Sequence, residues 1–230
     1  MAFPFNWVVS SRLIITRDTS MTSFKSISCL LALAVALSCG QAVGQTYSNV
    51  SGSDFDYTDI VETSGGGLFG QPTVEGADLI FPTTGFSAEG VDGALDFLNG
   101  MLELEVSSNS GQAFSQISLD EFGVYFNTGD SISTVEGFLT VQTDDGLFTD
   151  SFSFEFGAGS GTWIGNATVN FPATLQADVF VHNILLADSV PDEVGSINKR
   201  DIQLTVGVPE PSICGLMLIG LCGMATRRRR

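Results

Sequence analysis

Alternation of apolar and polar residues in the middle of the chain restricts its fold more than any other feature. Residues 102–106 read Leu-Glu-Leu-Glu-Val, residues 152–156 read Phe-Ser-Phe-Glu-Phe and residues 202–206 read Ile-Gln-Leu-Thr-Val. A period of two places alternate side chains on opposite faces of a β-strand, one dry and one in water. Further runs of the same kind are 78–81, 116–126, 131–142, 167–171 and 173–183.

Clusters of glycine, asparagine and aspartate separate these runs and are typical of turns. They lie at 65–67, 99–100, 109–111, 128–130, 144–146 and 157–161. Residues 90–99 allow one short helical turn. We therefore predict an all-β fold of eight to eleven short strands. They should form an antiparallel two-sheet β-sandwich of jelly-roll or immunoglobulin-like type.

The end of the chain has a membrane pattern. The motif Val208-Pro209-Glu210-Pro211-Ser212 is expected to be extended, because proline lacks an N–H and disfavours a helical residue before it. Residues 213–226 form an apolar run, and Arg227, Arg228, Arg229 and Arg230 should stay cytoplasmic by the positive-inside rule. The uncharged stretch 213–225 would make a transmembrane helix of about 20 Å, so flanking residues must cover the rest of a ~30 Å hydrocarbon core. The alternative is a core segment followed by a basic end.

These three parts, in this order, resemble the PEP-CTERM sorting signal of exported bacterial proteins. The resemblance covers residues 208–230, about a tenth of the chain, and implies nothing about the fold of the rest. It implies that a membrane-embedded exosortase recognises Pro209, Glu210 and Pro211 and cleaves the tail. The protein would then be released or re-attached in an extracellular polysaccharide matrix.

The beginning of the chain predicts export as well. Residues 1–20 fit no pattern and are interpreted as a mis-assigned start or an extended n-region. Residues 21–44 read as a signal peptide, with a start at Met21, a basic Lys25, an apolar core at 27–37 and small residues before cleavage after Gly44. The alternatives are a buried helix, or a lipoprotein-like box at 36–39 with Cys39 as the acylated residue.

Between these ends lies one predicted acidic domain, residues 45–207. It has 24 acidic residues against two basic ones, Lys199 and Arg200, for a net charge of −22. Clustered basic residues are absent, which excludes nucleic acid and anionic membrane surfaces as partners of the domain. The four cysteines Cys29, Cys39, Cys214 and Cys222 lie outside it, so its stability must come from a core rich in phenylalanine.

Catalytic motifs are not found in this domain. His182 is the only histidine of the chain, no Gly-x-Ser-x-Gly motif occurs, and His182 is interpreted as an ordinary strand residue. Glu103 and Glu105 share one face of a strand with Cα atoms about 6–7 Å apart, which is within the range of glycosidase carboxylates. A solvent-facing strand gives the same pattern, and no aromatic residue flanks the pair in sequence. We predict no catalytic residue and no enzyme activity.

Binding sites are indicated more clearly than catalytic ones. Asp54, Asp56 and Asp59 present three carboxylates in six residues, the kind of hard oxygen ligand that Ca²⁺ takes, although a solvated acidic loop has the same composition. No other cofactor is expected. A sugar-stacking platform is a further candidate, opposed by the alternative that its members are buried or scattered. The platform would consist of Tyr47, Tyr57, Tyr125 and Trp163.

Together these features predict an exported structural or adhesive protein of the cell surface or extracellular matrix. It would be held transiently in the membrane by its C-terminus. The expected partners are signal peptidase, exosortase, the membrane through the tail, and extracellular polysaccharide. The alternatives are a calcium-dependent carbohydrate-binding module and a two-carboxylate glycoside hydrolase.

The mass of the mature protein tests the predicted processing. We expect the N-terminus at Gln45 and loss of the tail beyond the Pro209–Pro211 motif, measured by intact mass spectrometry of the exported species. A full-length chain that is soluble in the cytosol and retains both its initiator and Arg230 would contradict the export hypothesis.

Overall fold

The computed structural model describes residues 44–64 and 66–209 of the 230-residue chain. In these ranges the chain forms thirteen strands, more than the eight to eleven predicted. They are β1 (Gln45–Thr46), β2 (Val50–Ser51), β3 (Phe55–Glu62), β4 (Thr73–Glu75), β5 (Asp78–Pro82), β6 (Ser87–Val91), β7 (Leu95–Ser108), β8 (Phe114–Asn127), β9 (Ile132–Thr143), β10 (Gly146–Phe156), β11 (Gly159–Thr174), β12 (Gln176–Asp188) and β13 (Val194–Gly207). Over this described part, no helix has the length and hydropathy to cross a membrane.

The strands pair antiparallel into two sheets. The seven-stranded sheet has the order β1-β3-β7-β12-β9-β10, and β2 also pairs with β3. The six-stranded sheet has the order β11-β8-β13-β5-β4, and β6 also pairs with β13. The prediction of an all-β, antiparallel two-sheet sandwich is therefore confirmed.

Alternation explains how the two sheets pack. Leu102, Leu104 and Val106 of β7 are buried between the sheets, whereas Glu103 is exposed on the outer side. Phenylalanine rings fill much of the space, with edge-to-face pairs such as Phe55–Phe114 at 5.5 Å and Phe69–Phe81 at 6.0 Å between centroids. Such pairs add to the free energy gained by burying their area.

Three local predictions are wrong. The turn predicted at 99–100 lies inside β7, where Gly100 makes room for Phe86, because a Cβ at Gly100 would overlap that ring. In place of the helical turn predicted at 90–99, the chain has the end of β6, a connection at 92–94 and the start of β7. The predicted turn at 157–161 is shorter, since β11 already begins at Gly159. Several strands are consequently longer than predicted, with 14 residues in β7 and 16 in β11.

The predicted sorting signal lies almost entirely outside the described residues. Val208 is half-buried against the core and Pro209 is exposed. Glu210, Pro211 and Ser212, the apolar run 213–226, and Arg227–Arg230 are not described. The predicted signal peptide at 21–44 is also outside the described residues except for Gly44.

A buried carboxylate holds the connection after β3. Glu62 accepts hydrogen bonds from Tyr47 Oη at 2.6 Å, Ser64 Oγ at 2.9 Å and the backbone N–H of Leu68 at 3.0 Å. Burial by itself would raise the pKa of Glu62, but the hydrogen bonds from Tyr47, Leu68, Ser64 and Phe69 together hold it below its ordinary value. The ionised form therefore stabilises the native state.

Replacing Glu62 tests this arrangement. Glu62→Gln should lower the free energy of unfolding by about 2 kcal/mol at neutral pH, since hydrogen bonds to a charged acceptor are lost. The native pKa lies below the unfolded one, so the difference from wild type should be full above the ordinary pKa of 4.5 and shrink as the pH falls through the native value. Urea unfolding of both proteins at several pH values measures this difference in unfolding free energy. The exposed Glu75→Gln is the control, and equal effects of the two substitutions would contradict the account.

The positions of two phenylalanines give a second test. Phe114 is fully buried, whereas Phe154 is 38% exposed although it shares the inward face of β10 with Phe152. Phe114→Ala should cost about 3–5 kcal/mol of unfolding free energy. Phe154→Ala should cost less than about 2 kcal/mol, because the native state buries less apolar area of this side chain. Equal losses in denaturant unfolding would place the two rings in equivalent environments and refute the description.

Candidate functional site

The outer face of the seven-stranded sheet carries a group of aromatic and large apolar side chains. Met101, His182 and Phe138 are cross-strand neighbours in one row across β7, β12 and β9. Phe180 lies in the next row, and Phe97 lies two rows away on the other side. Phe97 is 38% and Met101 45% exposed, and the other three are half-buried. We call these five residues the outer aromatic face.

The middle of the outer aromatic face is held in place by stacking and hydrogen bonding. The rings of Phe138 and His182 stack with centroids 5.5 Å apart and planes 24° from parallel. His182 Nε2 pairs with Asn99 Oδ1 at 2.7 Å. Burial, and secondarily the charge of Lys199, lowers the pKa of His182, so its imidazole is neutral at pH 7. The middle of the outer aromatic face is thus fixed in position and carries no positive charge of its own.

Polar side chains are interleaved with the aromatic ones. Glu103 is the cross-strand partner of Phe180, and Thr140 lies on the other side of Phe180. Glu136 lies in the same row as Asn99. Rings flanked by carboxylate, amide and hydroxyl groups are suited to a ligand that has both apolar C–H faces and hydroxyl groups. Sugars have this character.

A polar cleft of about 460 Å³ adjoins the same face. A row formed by Glu105, Asp178 and Gln142 leads into it from the outer aromatic face. Glu105 is fixed there by a hydrogen bond of 2.7 Å from Gln176 Nε2. The residues that line the cleft are Gln142, Thr143, Asp144, Thr174, Leu175, Gln176, Ala177 and Asp178. Face and cleft together form an extended surface.

The aromatic platform proposed from sequence is not formed by the residues named. Tyr47, Tyr57 and Trp163 are buried in the core. Tyr125 is half-buried and stacks on Phe156 at 4.3 Å between centroids. The alternative, that these residues are buried or scattered, is confirmed. The sequence did not indicate the outer aromatic face, whose members come together only through the register of three strands.

The predicted carboxylates lie as follows. Asp54 precedes β3, Asp56 lies within it, and Asp59 has a left-handed backbone (φ 51°) at an irregularity of the pairing between β3 and β7. Within 44–64 and 66–209, no group of three or more His, Cys, Asp or Glu side chains is arranged to hold a metal ion. The calcium site stays a prediction. Glu103 and Glu105 share the outer face as expected. No aromatic residue flanks them in sequence, but the strand register places Phe180 opposite Glu103.

A second group of residues that the sequence analysis missed lies in the core. Lys199 Nζ contacts both Glu121 Oε2 and Asn183 Oδ1, and all three side chains are buried. We call these residues the buried polar cluster. Each lies at an inward position of its strand, where the alternation predicts an apolar residue. Glu121 follows Ile117 and Leu119 on β8, Asn183 follows Val179 and Val181 on β12, and Lys199 follows Ile197 on β13. That position was the signal available in the sequence.

Comparisons with known proteins do not name a family. No family model matches the chain, and no curated protein matches it. Among solved structures, the chain is similar to TmCBM61 in complex with β-1,4-galactotriose, at 14% identity over 67% of this chain and 89% of that one, with a TM-score of 0.23. A carbohydrate-binding module structure from the β-sandwich superfamily has 11% identity over 74% and 58%, with a TM-score of 0.22. The family 11 carbohydrate-binding module from Clostridium thermocellum has 11% identity over 73% and 98%, with a TM-score of 0.18. At these scores the similarities carry no argument about this chain.

Proposed function

We propose that the chain is an exported structural or adhesive protein that binds neutral polysaccharide through the outer aromatic face. It would act by binding, without turnover of the ligand. One observation carries the proposal: three phenylalanines, Met101 and a neutral His182 lie on one outer sheet face beside Asn99, Glu103 and Glu136. Aromatic rings would stack on the sugar rings, and the polar groups would bind their hydroxyls.

Charge selects among ligands. The outer aromatic face is bordered by Glu103, Glu105, Glu136 and Asp178, whereas the basic residues of the described ranges are Lys199, which is buried, and Arg200, on β13 of the other sheet. Like charges would repel uronic acid or sulfated polymers and also a second copy of this acidic domain. A neutral polysaccharide meets no such penalty, and it is the occupant we propose.

The place of action rests on the sequence alone. The signal peptide at 21–44 and the PEP-CTERM-like tail at 208–230 support export, processing by exosortase and residence in an extracellular polysaccharide matrix. In that setting a polysaccharide-binding sandwich, of jelly-roll or immunoglobulin-like type, would attach the protein to the matrix. Asp54, Asp56 and Asp59 remain the candidates for a calcium requirement.

A glycan array tests the proposal. The exported protein should bind one or more neutral hexose polymers and should not bind uronic acid polymers of similar length. Phe138→Ala and Phe180→Ala should each weaken binding on the order of tenfold, the equivalent of about 1.4 kcal/mol. Arrays run with millimolar Ca²⁺ and with a chelator show whether calcium contributes.

A matched control lies on the other sheet. Phe126 is 49% exposed on the outer side of β8, so Phe126→Ala removes the same side chain from a surface outside the proposed site. Its binding should equal that of wild type. Absence of binding to any neutral glycan, or equal losses in Phe126→Ala and Phe180→Ala, would overturn the proposal. Release of sugars from a bound polymer would instead favour the hydrolase alternative at Glu103 and Glu105.

A further inference from the structure

The buried polar cluster joins three different strands. Lys199 lies on β13 and Glu121 on β8, both in the six-stranded sheet, whereas Asn183 lies on β12 of the seven-stranded sheet. The Lys199 amine therefore reaches across the sandwich to the side-chain amide of Asn183, with the Glu121 carboxyl against the same nitrogen. One amine thereby contacts both an amide and an acid.

Aromatic rings enclose the lysine. The ring centroid of Phe86 lies 4.9 Å from Lys199 Nζ, and that of Trp163 lies 5.8 Å away. Gly123, the cross-strand partner of Lys199 on β8, makes room for Trp163, because a Cβ there would overlap the indole. The local medium is therefore apolar and shielded from water.

Aromatic rings also lie around Asn183, and glycines on the neighbouring strands make room for them. The two cross-strand neighbours of Asn183 are Gly100 on β7 and Gly137 on β9. A Cβ at Gly100 would overlap Phe86, and a Cβ at Gly137 would overlap Phe152. Rings thus occupy the space that side chains at these two positions would fill.

Burial favours the neutral forms of the pair. It raises the pKa of Glu121, although the charge of Lys199 opposes the rise, and it lowers the pKa of Lys199, although Glu121 opposes the fall. When the proton lies on Glu121, the lysine is a neutral amine with a free lone pair. That is the reactive form of a lysine nucleophile.

Two atoms of the cluster also lack hydrogen-bond partners. Among the described residues, neither Asn183 Nδ2 nor Glu121 Oε1 makes a hydrogen bond, and both are buried. A buried amide nitrogen without an acceptor has lost its hydrogen bonds to water and gained none, which is a free-energy cost to the folded state. Departure of that nitrogen would remove the cost.

We propose that Lys199 and Asn183 join through an isopeptide bond formed within the folded domain, with Glu121 as its catalytic acid and base. The lone pair of Lys199 Nζ attacks Asn183 Cγ, and the protonated Glu121 stabilises the charge that develops on Oδ1. Glu121 then relays a proton from Nζ to Nδ2. The Cγ–Nδ2 bond breaks and ammonia leaves. One amine and one primary amide give one secondary amide and one ammonia, with no change in oxidation state.

The bond would cross-link the two sheets. It joins β12 to β13 through side chains in the middle of the core, in a domain that contains no cysteine. An exported protein would thereby have a covalent cross-link that does not depend on the redox state of its surroundings.

Mass spectrometry of the protein expressed as the full chain tests this proposal. The folded wild type should be lighter, by one ammonia, than the sequence of its observed termini requires. Cleavage after acidic residues should yield a branched peptide containing both Asn183 and Lys199, because Asp188, Asp192 and Glu193 lie between them. Glu121→Gln, which preserves shape, should retain the ammonia and give only linear peptides.

Two further variants separate the reaction from other losses of ammonia. Cyclisation of an N-terminal Gln45 also releases ammonia, but it would persist in Lys199→Met, whereas the branched peptide would not. Arg200→Met, at the exposed neighbouring position, should keep the branched peptide. A folded wild type that gives only linear peptides, or a Glu121→Gln variant as fully branched as wild type, would overturn the proposal.

Discussion

Packing of two phenylalanine-rich sheet faces against each other is the constraint on which the rest of this structure depends. The domain has no cysteine, so apolar burial has to offset the conformational entropy of ordering its backbone. Rings require space, and glycines in central strands provide it: a Cβ at Gly137 or Gly165 would overlap Phe152 from either sheet. Once the inner faces are filled in this way, the outward positions are free to serve binding.

The local part of the fold was predictable because alternation is a property of neighbouring residues. Leu102, Leu104 and Val106 face the core, and Glu103 faces water, as their spacing requires. The boundaries of strands were less predictable, since the pair Asn99-Gly100 is typical of a turn, yet Gly100 lies within β7 beside the ring of Phe86. Only tertiary packing distinguishes a glycine that bends the chain from one that makes room.

The candidate site depended on information that one strand does not contain. Met101, His182 and Phe138 come from three strands and meet only because the register of β7, β12 and β9 aligns them. Tyr57 and Trp163 are candidates for a surface platform by residue type alone, but the sheets bury both, as the alternative predicts. Lys199 was counted as a basic residue, and its inward position became meaningful only when Glu121 and Asn183 were found beside it. The two sites are separate, one on the outer face and one in the core.

The central claim is that a neutral polysaccharide occupies the outer aromatic face. Met101 is the only methionine between residues 45 and 207, so its labelled methyl group gives one NMR signal from the domain. Titration with a neutral hexose oligosaccharide should shift this signal to saturation, and an equal concentration of an oligouronate should leave it unchanged. A bound neutral glycan that leaves the Met101 signal in place, or an oligouronate that shifts it equally, would contradict the account.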